Sequence, residues 1–251
     1  MDDREPRLRD GGQTRREPFR INQIPDSVIY SIARQITGLL SFGRRDINGD
    51  DWGDIWANAI TGKHLARPLG LVDVVSKQVG WSVKTVKTAK KAGAIGADRI
   101  RLISGRNSPD YSLGITDLHS DIQKTGEAVL KIWNGRIDLA ENEYWPNRTA
   151  VLIRSKDMLS YSLFEEPLHR YDVSQYEWRY NAKRNLEAID RISGKTCFTW
   201  QFHGSQFTVH SRVPNSARRF RIMNPPPVSI ETALDDMDYS SDWTTILPNN
   251  N

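Results

Sequence analysis

GLVDVVSKQVGWSVKTVK, residues 70–87, is the stretch whose reading decides the fold. Two apolar, β-branched runs flank a short polar stretch ending in Gly80. Such runs predict strands, and their spacing predicts a hairpin. Each run carries a charge in its middle, Asp73 in the first and Lys84 in the second. On a strand, residues two apart share a face. Ser82 and Lys84 therefore point one way, and Trp81, Val83 and Thr85 the other. Pairing Val75 with Gly80 sets Asp73 opposite Ser82, with Lys84 one diagonal step away. That register closes with the four-residue loop Ser76–Val79. A slip of one residue turns Asp73 to the wrong face, so the register tests the idea.

A carboxylate and an ammonium held together over a cleft have a definite chemistry. Asp73 can ligate a hard divalent cation, and the backbone carbonyl of Val83 can add a second oxygen. Such a cation acidifies a bound water and neutralises charge growing on a phosphate. Lys84 can position or deprotonate the attacking water and steady the phosphate as a point charge. Together these residues suit phosphodiester hydrolysis. The competing reading is a structural ion pair, but the desolvation cost of a buried pair often exceeds its Coulombic gain.

Elements on either side place this hairpin in an α/β fold, with a central mixed sheet flanked by helices. DSVIYSIARQITGLL, 26–40, carries an apolar stripe at helical spacing and is capped by Asp26 or Ser27. DDWGDIWANAITG, 50–62, is a second helix. RIRLISGR, 99–106, and TAVLIRSK, 149–156, read as strands, and YSLFEEPL extends the sheet. TDLHSDIQKTGEAVLKIWNGRIDLA, 116–140, is the longest helical pattern. QYEWRYNAKRNLEAIDRI, 175–192, is expected to be a charged helix. KTCFTWQF and QFTVHSRV form a second hairpin, and ARRFRI, 217–222, a last strand.

The chain has 251 residues and one cysteine, Cys197, so no internal disulfide and no thiolate zinc cluster can form. No run approaches the roughly 18 apolar residues of a membrane span, and the N-terminus lacks a signal-peptide core. A reduced, cytoplasmic setting is expected, with no membrane partner. Residues 1–20 are expected to be a flexible tail, 21–223 a single domain, and 224–251 an acidic tail beyond Pro225-Pro226-Pro227. That last segment holds five acidic residues and no Lys or Arg, so the net +4 of the chain leaves +9 on residues 1–223. A body of that charge suits a polyanion such as nucleic acid.

LVDVV…GWSVKTVK resembles the signature of the PD-(D/E)XK nuclease superfamily, and within it type II restriction endonucleases. In that family an Asp sits on one strand of a hairpin, and an acidic residue, one spacer and a Lys on the next. Asp73 and Lys84 match, while Ser82 stands where the second acid usually does. A subset with a Ser-x-Lys version is similar and takes its second carboxylate from elsewhere. Asp54 on the preceding helix is favoured for that role, with Asp51 one turn earlier and Asp98 as alternatives. The resemblance covers about residues 50–106. It implies a restriction-endonuclease-like fold, Mg²⁺ (with Mn²⁺ as a substitute) held by Asp73, Val83 and Asp54, and catalysis by Asp73, Lys84, Ser82 and Asp54. It also implies double-stranded DNA as substrate and a homodimer that cuts both strands.

Several residues are candidates for DNA contact. Arg106 and Asn107 lie in a loop after a strand, and Arg and Asn are side chains that read guanine and adenine edges. Gln201, His203, Gln206, His210 and Arg212 lie on and around the second hairpin, and a β-ribbon can enter the major groove. No Gly-x₄-Gly-Lys-Ser/Thr loop is present, so no nucleotide cofactor is expected. No two of the five histidines have metal-ligand spacing. Glu165 and Glu166 read as surface residues in a loop, and Trp178 and Trp200 as core before base-stacking platforms.

Overall fold

A computed structural model describes residues 17–65, 70–89 and 99–247. In chain order its main elements are α1 (Asp26–Ser41), α2 (Gly49–Ala59), β1 (Lys63–His64), β2 (Val74–Ser76), β3 (Val79–Thr88), β4 (Arg99–Arg106), α3 (Pro109–Leu113) and α4 (Ile122–Glu143). There follow β5 (Asn147–Ser155), β6 (Ser160–Pro167), β7 (Tyr176–Tyr180), β8 (Leu186–Asp190), β9 (Thr196–Gln201), β10 (Gln206–Arg212), β11 (Arg218–Arg221) and α5 (Ile230–Asp236). The class is α/β, as expected, but the strands form two sheets. One is mixed, in the order β1-β2-β3-β5-β6-β11, and the other antiparallel, in the order β4-β10-β9-β8-β7.

The mixed sheet is built around β5, which runs parallel to β3 and antiparallel to β6 and is buried along its whole length. A strand covered on both faces reads as a continuous apolar run, which is what Thr149–Ile153 is. One face packs on α1 and α2 through Ile32, Ile36, Trp52, Trp56, Trp81, Val83 and Leu152. α2 begins with a capping box: Asn48 accepts from Asp51 N (2.8 Å), and Asp51 accepts from Asn48 N (3.0 Å). The other face meets the β4 end of the second sheet, where Ile100 and Leu102 pack on Val151, Ile153 and Phe164. α4 lies on the inner face of the antiparallel sheet through Val129, Leu130, Trp133 and Ile137.

Several expectations are corrected. Residues 175–192 are not a helix but the β7–β8 hairpin, with Trp178 paired to Ala188. The charges misled: Trp178, Leu186 and Ala188 alternate inward with period two, while Arg179 and Glu187 pair outward at 2.9 Å. The strand 99–106 forms, but in the second sheet. Glu17–Arg20 are not a tail: Arg148 Nη1 donates to Phe19 O (3.1 Å), and the Phe19 ring packs edge-on against Trp56. Residues 1–16 lie outside the described residues. Beyond the prolines the chain forms α5, and Val228 N donates to Ser41 O (2.9 Å). Among the described residues no helix is long and apolar enough to cross a membrane.

Candidate active site

The β2–β3 hairpin takes the expected register, with Val75 paired to Gly80. Its loop is tighter than expected. Ser76 pairs with Val79, so only Lys77 and Gln78 turn the chain, with Lys77 at a positive φ of 56°. Formal pairing ends at Val74, where Asp73 N still donates to Trp81 O (2.8 Å). There the Asp73 carboxylate stands in for a backbone acceptor: Oδ2 accepts from Val83 N at 2.8 Å and from Ser82 Oγ at 3.4 Å. Lys84 Nζ lies 3.9 Å from the same oxygen. Asp73, Ser82 and Lys84 therefore meet, as the alternation requires. Among the described residues these contacts all fall on Oδ2.

Burial depresses the Lys84 ammonium's pKa, with Asp73 opposing and a second cation, Arg136, adding to the fall. Arg136 comes from α4. Its guanidinium lies against Gly105, where a Cβ would sit 2.6 Å from Nη1, and Gly105 has a φ of +108°. Nη1 donates to Asn107 Oδ1 at 3.2 Å. Sequence reasoning missed Arg136. The available signal was its position three residues after Trp133 and four before Ala140, inside the apolar stripe of the helix.

The other expected residues are distributed as follows. Asp54 is two-thirds exposed on α2 and pairs with His64 Nδ1 at 2.8 Å. His64 sits opposite Val74, whose side chain packs into the α1–α2 core, so Asp54 belongs to the face that Asp73 turns away from. Asp51 is held in its capping box and by Arg44 at 2.6 Å. Asp98 lies outside the described residues. Among the described residues, no group of three or more His, Cys, Asp or Glu is arranged to hold a metal. A hard cation that keeps most of its waters does fit the donors present, since Mg²⁺ is commonly held by one or two carboxylates plus substrate phosphates. The Asp73 carboxylate is one donor. The Val83 carbonyl is the other, because it leaves the strand on the same side as the N–H that meets Asp73.

No family model, curated protein or solved structure matches the chain.

Of the base-reading candidates, Asn107 is fully buried and acts as a strut. Its Nδ2 donates to Val129 O (3.1 Å), its N to Ser205 O (2.9 Å), and its carbonyl accepts from Trp200 Nε1 (2.8 Å). With its amide oxygen on Arg136, it cannot read a base. Arg106, Gln206 and Gln201 form one row across β4, β10 and β9, with His203 exposed in the adjoining turn. This end of the sheet lies on the side of the Asp73–Lys84 pair, because Gly105 and Asn107 hold Arg136, whose charge acts on Lys84. His210 and Arg212 lie at the other end, opposite Arg101 and Arg99. His210 Nε2 is 2.8 Å from Thr199 Oγ1, and burial, then Arg101 and Arg99, push its pKa down. Trp178 and Trp200 are buried in the core.

Proposed function

We propose that this chain is a Mg²⁺-dependent endodeoxyribonuclease that hydrolyses phosphodiester bonds of double-stranded DNA, in the manner of a type II restriction enzyme. The observation that carries the reading is the convergence of Val83 N, Ser82 Oγ and Lys84 Nζ on one oxygen of Asp73. A structural ion pair would need neither the backbone N–H of Val83 on the carboxylate nor a second cation, Arg136, acting on the lysine. Asp73 and the Val83 carbonyl would hold the cation, which would supply charge neutralisation and acidify a bound water. Lys84, its ammonium pKa lowered by burial, lies 3.9 Å from the Asp73 carboxylate and is placed to orient an attacking water and to exchange a proton with it. Ser82 holds the Asp73 carboxylate in place. Asp54, paired with His64 on the other face of the sheet, is not part of the proposed site.

Cutting both strands of a duplex calls for two such sites, so a homodimer is part of the proposal, as is a cytoplasmic setting for a chain with one cysteine. The burial of Asn107 favours a second reading in one respect. It removes one of the side chains best suited to reading adenine, which suits a nuclease that follows DNA shape. Incubation of purified protein with unmethylated bacteriophage DNA and Mg²⁺, with EDTA and K84A controls, separates the readings. Discrete metal-dependent bands that vanish with K84A support the restriction enzyme, and a metal-dependent smear supports the shape reader. A K84A protein that cuts at the wild-type rate overturns both.

A further inference from the structure

We infer that Arg136 is a substrate-binding residue: with Lys84 it forms a preorganised seat for one backbone phosphate of the nucleic acid. The inference deepens the nuclease reading and rests on it for its role.

The argument begins with charge. Among the described residues, the other buried and half-buried arginines meet carboxylates: Arg148 pairs with Glu165 and Glu17, Arg154 with Asp46, and Arg218 with Asp26. Arg136 is the exception. It is half-buried, yet among the described residues no carboxylate lies within salt-bridge distance of it. Its described hydrogen-bond partner is a neutral amide, Asn107 Oδ1. Asp73 acts on it electrostatically from further away, and burial weighs against its charge. A desolvated cation with no anion beside it is costly unless a ligand brings the anion.

The surroundings are rigid. Asn107 is fully buried and bonded through its side-chain amide, its backbone N–H and its carbonyl. Gly105 lets the guanidinium lie against the backbone, since a Cβ there would come within 3.4 Å of Nη1, Nη2 and Cζ. One carboxylate, Asp73, faces two cations, Lys84 and Arg136, so the cluster has an excess of positive charge. A planar fork beside a point charge matches the paired non-bridging oxygens of a phosphodiester. A guanidinium already fixed by Asn107 loses little freedom on binding.

The test is titration of inorganic phosphate into the metal-free full-length protein, followed by calorimetry, for wild type, R136Q and R136K. Thermal denaturation checks that each variant is folded. The expected result is phosphate binding by wild type, weakened about tenfold or more in R136Q and less in R136K, the scale of a lost charge-assisted hydrogen bond. A short DNA duplex in EDTA should displace the phosphate. Should R136Q not fold, phenylglyoxal modification of Arg136 in the wild type, mapped by mass spectrometry, should be slowed by phosphate. No phosphate binding by wild type, unchanged binding by folded R136Q, absence of phosphate protection, or a duplex that does not compete overturns the inference. Phosphate binding that depends on Arg136, with duplex competition but without DNA cleavage, upholds the seat and removes the nuclease reading. Cleavage with R136Q behaving as wild type does the reverse.

Discussion

Asp73 Oδ2 accepts the backbone N–H of Val83 at 2.8 Å, where the β2–β3 ladder stops and no backbone carbonyl takes that place. The same carboxylate therefore has two tasks. It ends the hairpin by satisfying a strand N–H, and it meets the Lys84 ammonium at 3.9 Å. This explains how an acid can sit in the middle of an apolar run without an unmet desolvation cost. A carboxylate hydrogen-bonded to main chain is also fixed in direction before any ligand arrives.

The two tasks separate on mutation. Asp73→Asn keeps an acceptor for Val83 N but removes the charge. It should fold with stability close to wild type and lose metal-dependent cleavage. Asp73→Ala leaves the N–H unsatisfied and should cost about 1–3 kcal/mol of stability as well. Urea denaturation together with a cleavage assay checks both. Equal destabilisation by the two substitutions would show that the Val83 bond has no role in the hairpin.

Glu166 is not the surface loop residue that its sequence suggests. It lies one pair from the end of the β6 ladder, opposite Thr149, and accepts from Ser211 Oγ of β10 at 2.5 Å, joining the two sheets. Burial raises its carboxyl pKa, with Ser211 and His169 opposing. A folded-state pKa above the unfolded value means that folding favours the protonated form. The stabilisation is present below the unfolded value and is lost as pH rises through the folded one. Glu166→Gln keeps the Ser211 bond without the charge. The melting temperature of E166Q relative to wild type should therefore climb between acid and neutral pH. A difference that stays flat with pH contradicts this.

Legibility of the sequence followed the strength of local periodicity. The β2–β3 hairpin was readable because Trp81/Val83 and Ser82/Lys84 alternate cleanly and only one register brings Asp73 to them. α1 and α2 were readable from their apolar stripes. The 175–192 stretch was not, because its outward row (Glu177, Arg179, Glu187) and the Asn181–Asn185 turn supply charged and polar residues that imitate a solvated helix. The split into two sheets left no local mark, since strand partners are a tertiary matter. Asn107 was misread because its residue type suits bases, while its burial depends on Trp200 and Val129, distant in sequence. Arg136 was passed over because a charge beside an apolar stripe usually points to solvent.

Gly126 shows how β7 is seated. A Cβ at this buried helix position would overlap the Trp178 indole. Trp178 N also donates to Gln123 Oε1 of the same helix at 2.9 Å. Gly126→Ala should gain slightly in helix propensity, by about 1 kcal/mol, but lose about 1–3 kcal/mol to overpacking. A net loss with altered tryptophan fluorescence is expected in a denaturation series. A net gain would mean that the hairpin moves away from α4 at little cost.

The row Arg106–Gln206–Gln201 and the pair Arg99–Arg212 lie at opposite ends of the same sheet, so they should differ in what they do to DNA. The first row lies on the side of Arg136 and the Asp73–Lys84 pair, so on the proposed nuclease reading its amides face the base edges nearest the cut. Gln201→Ala or Gln206→Ala should relax sequence choice, with about 1–3 kcal/mol lost in discrimination at one base pair. Arg212, exposed and without a described carboxylate partner, would on the same reading meet only phosphates further along the duplex. Arg212→Ala should weaken binding evenly across sequences and lower the salt slope by about one. Affinity for specific and scrambled duplexes, measured over a range of salt, checks both. An Arg212→Ala protein that changes sequence choice would mean that the duplex enters from the other end of the sheet.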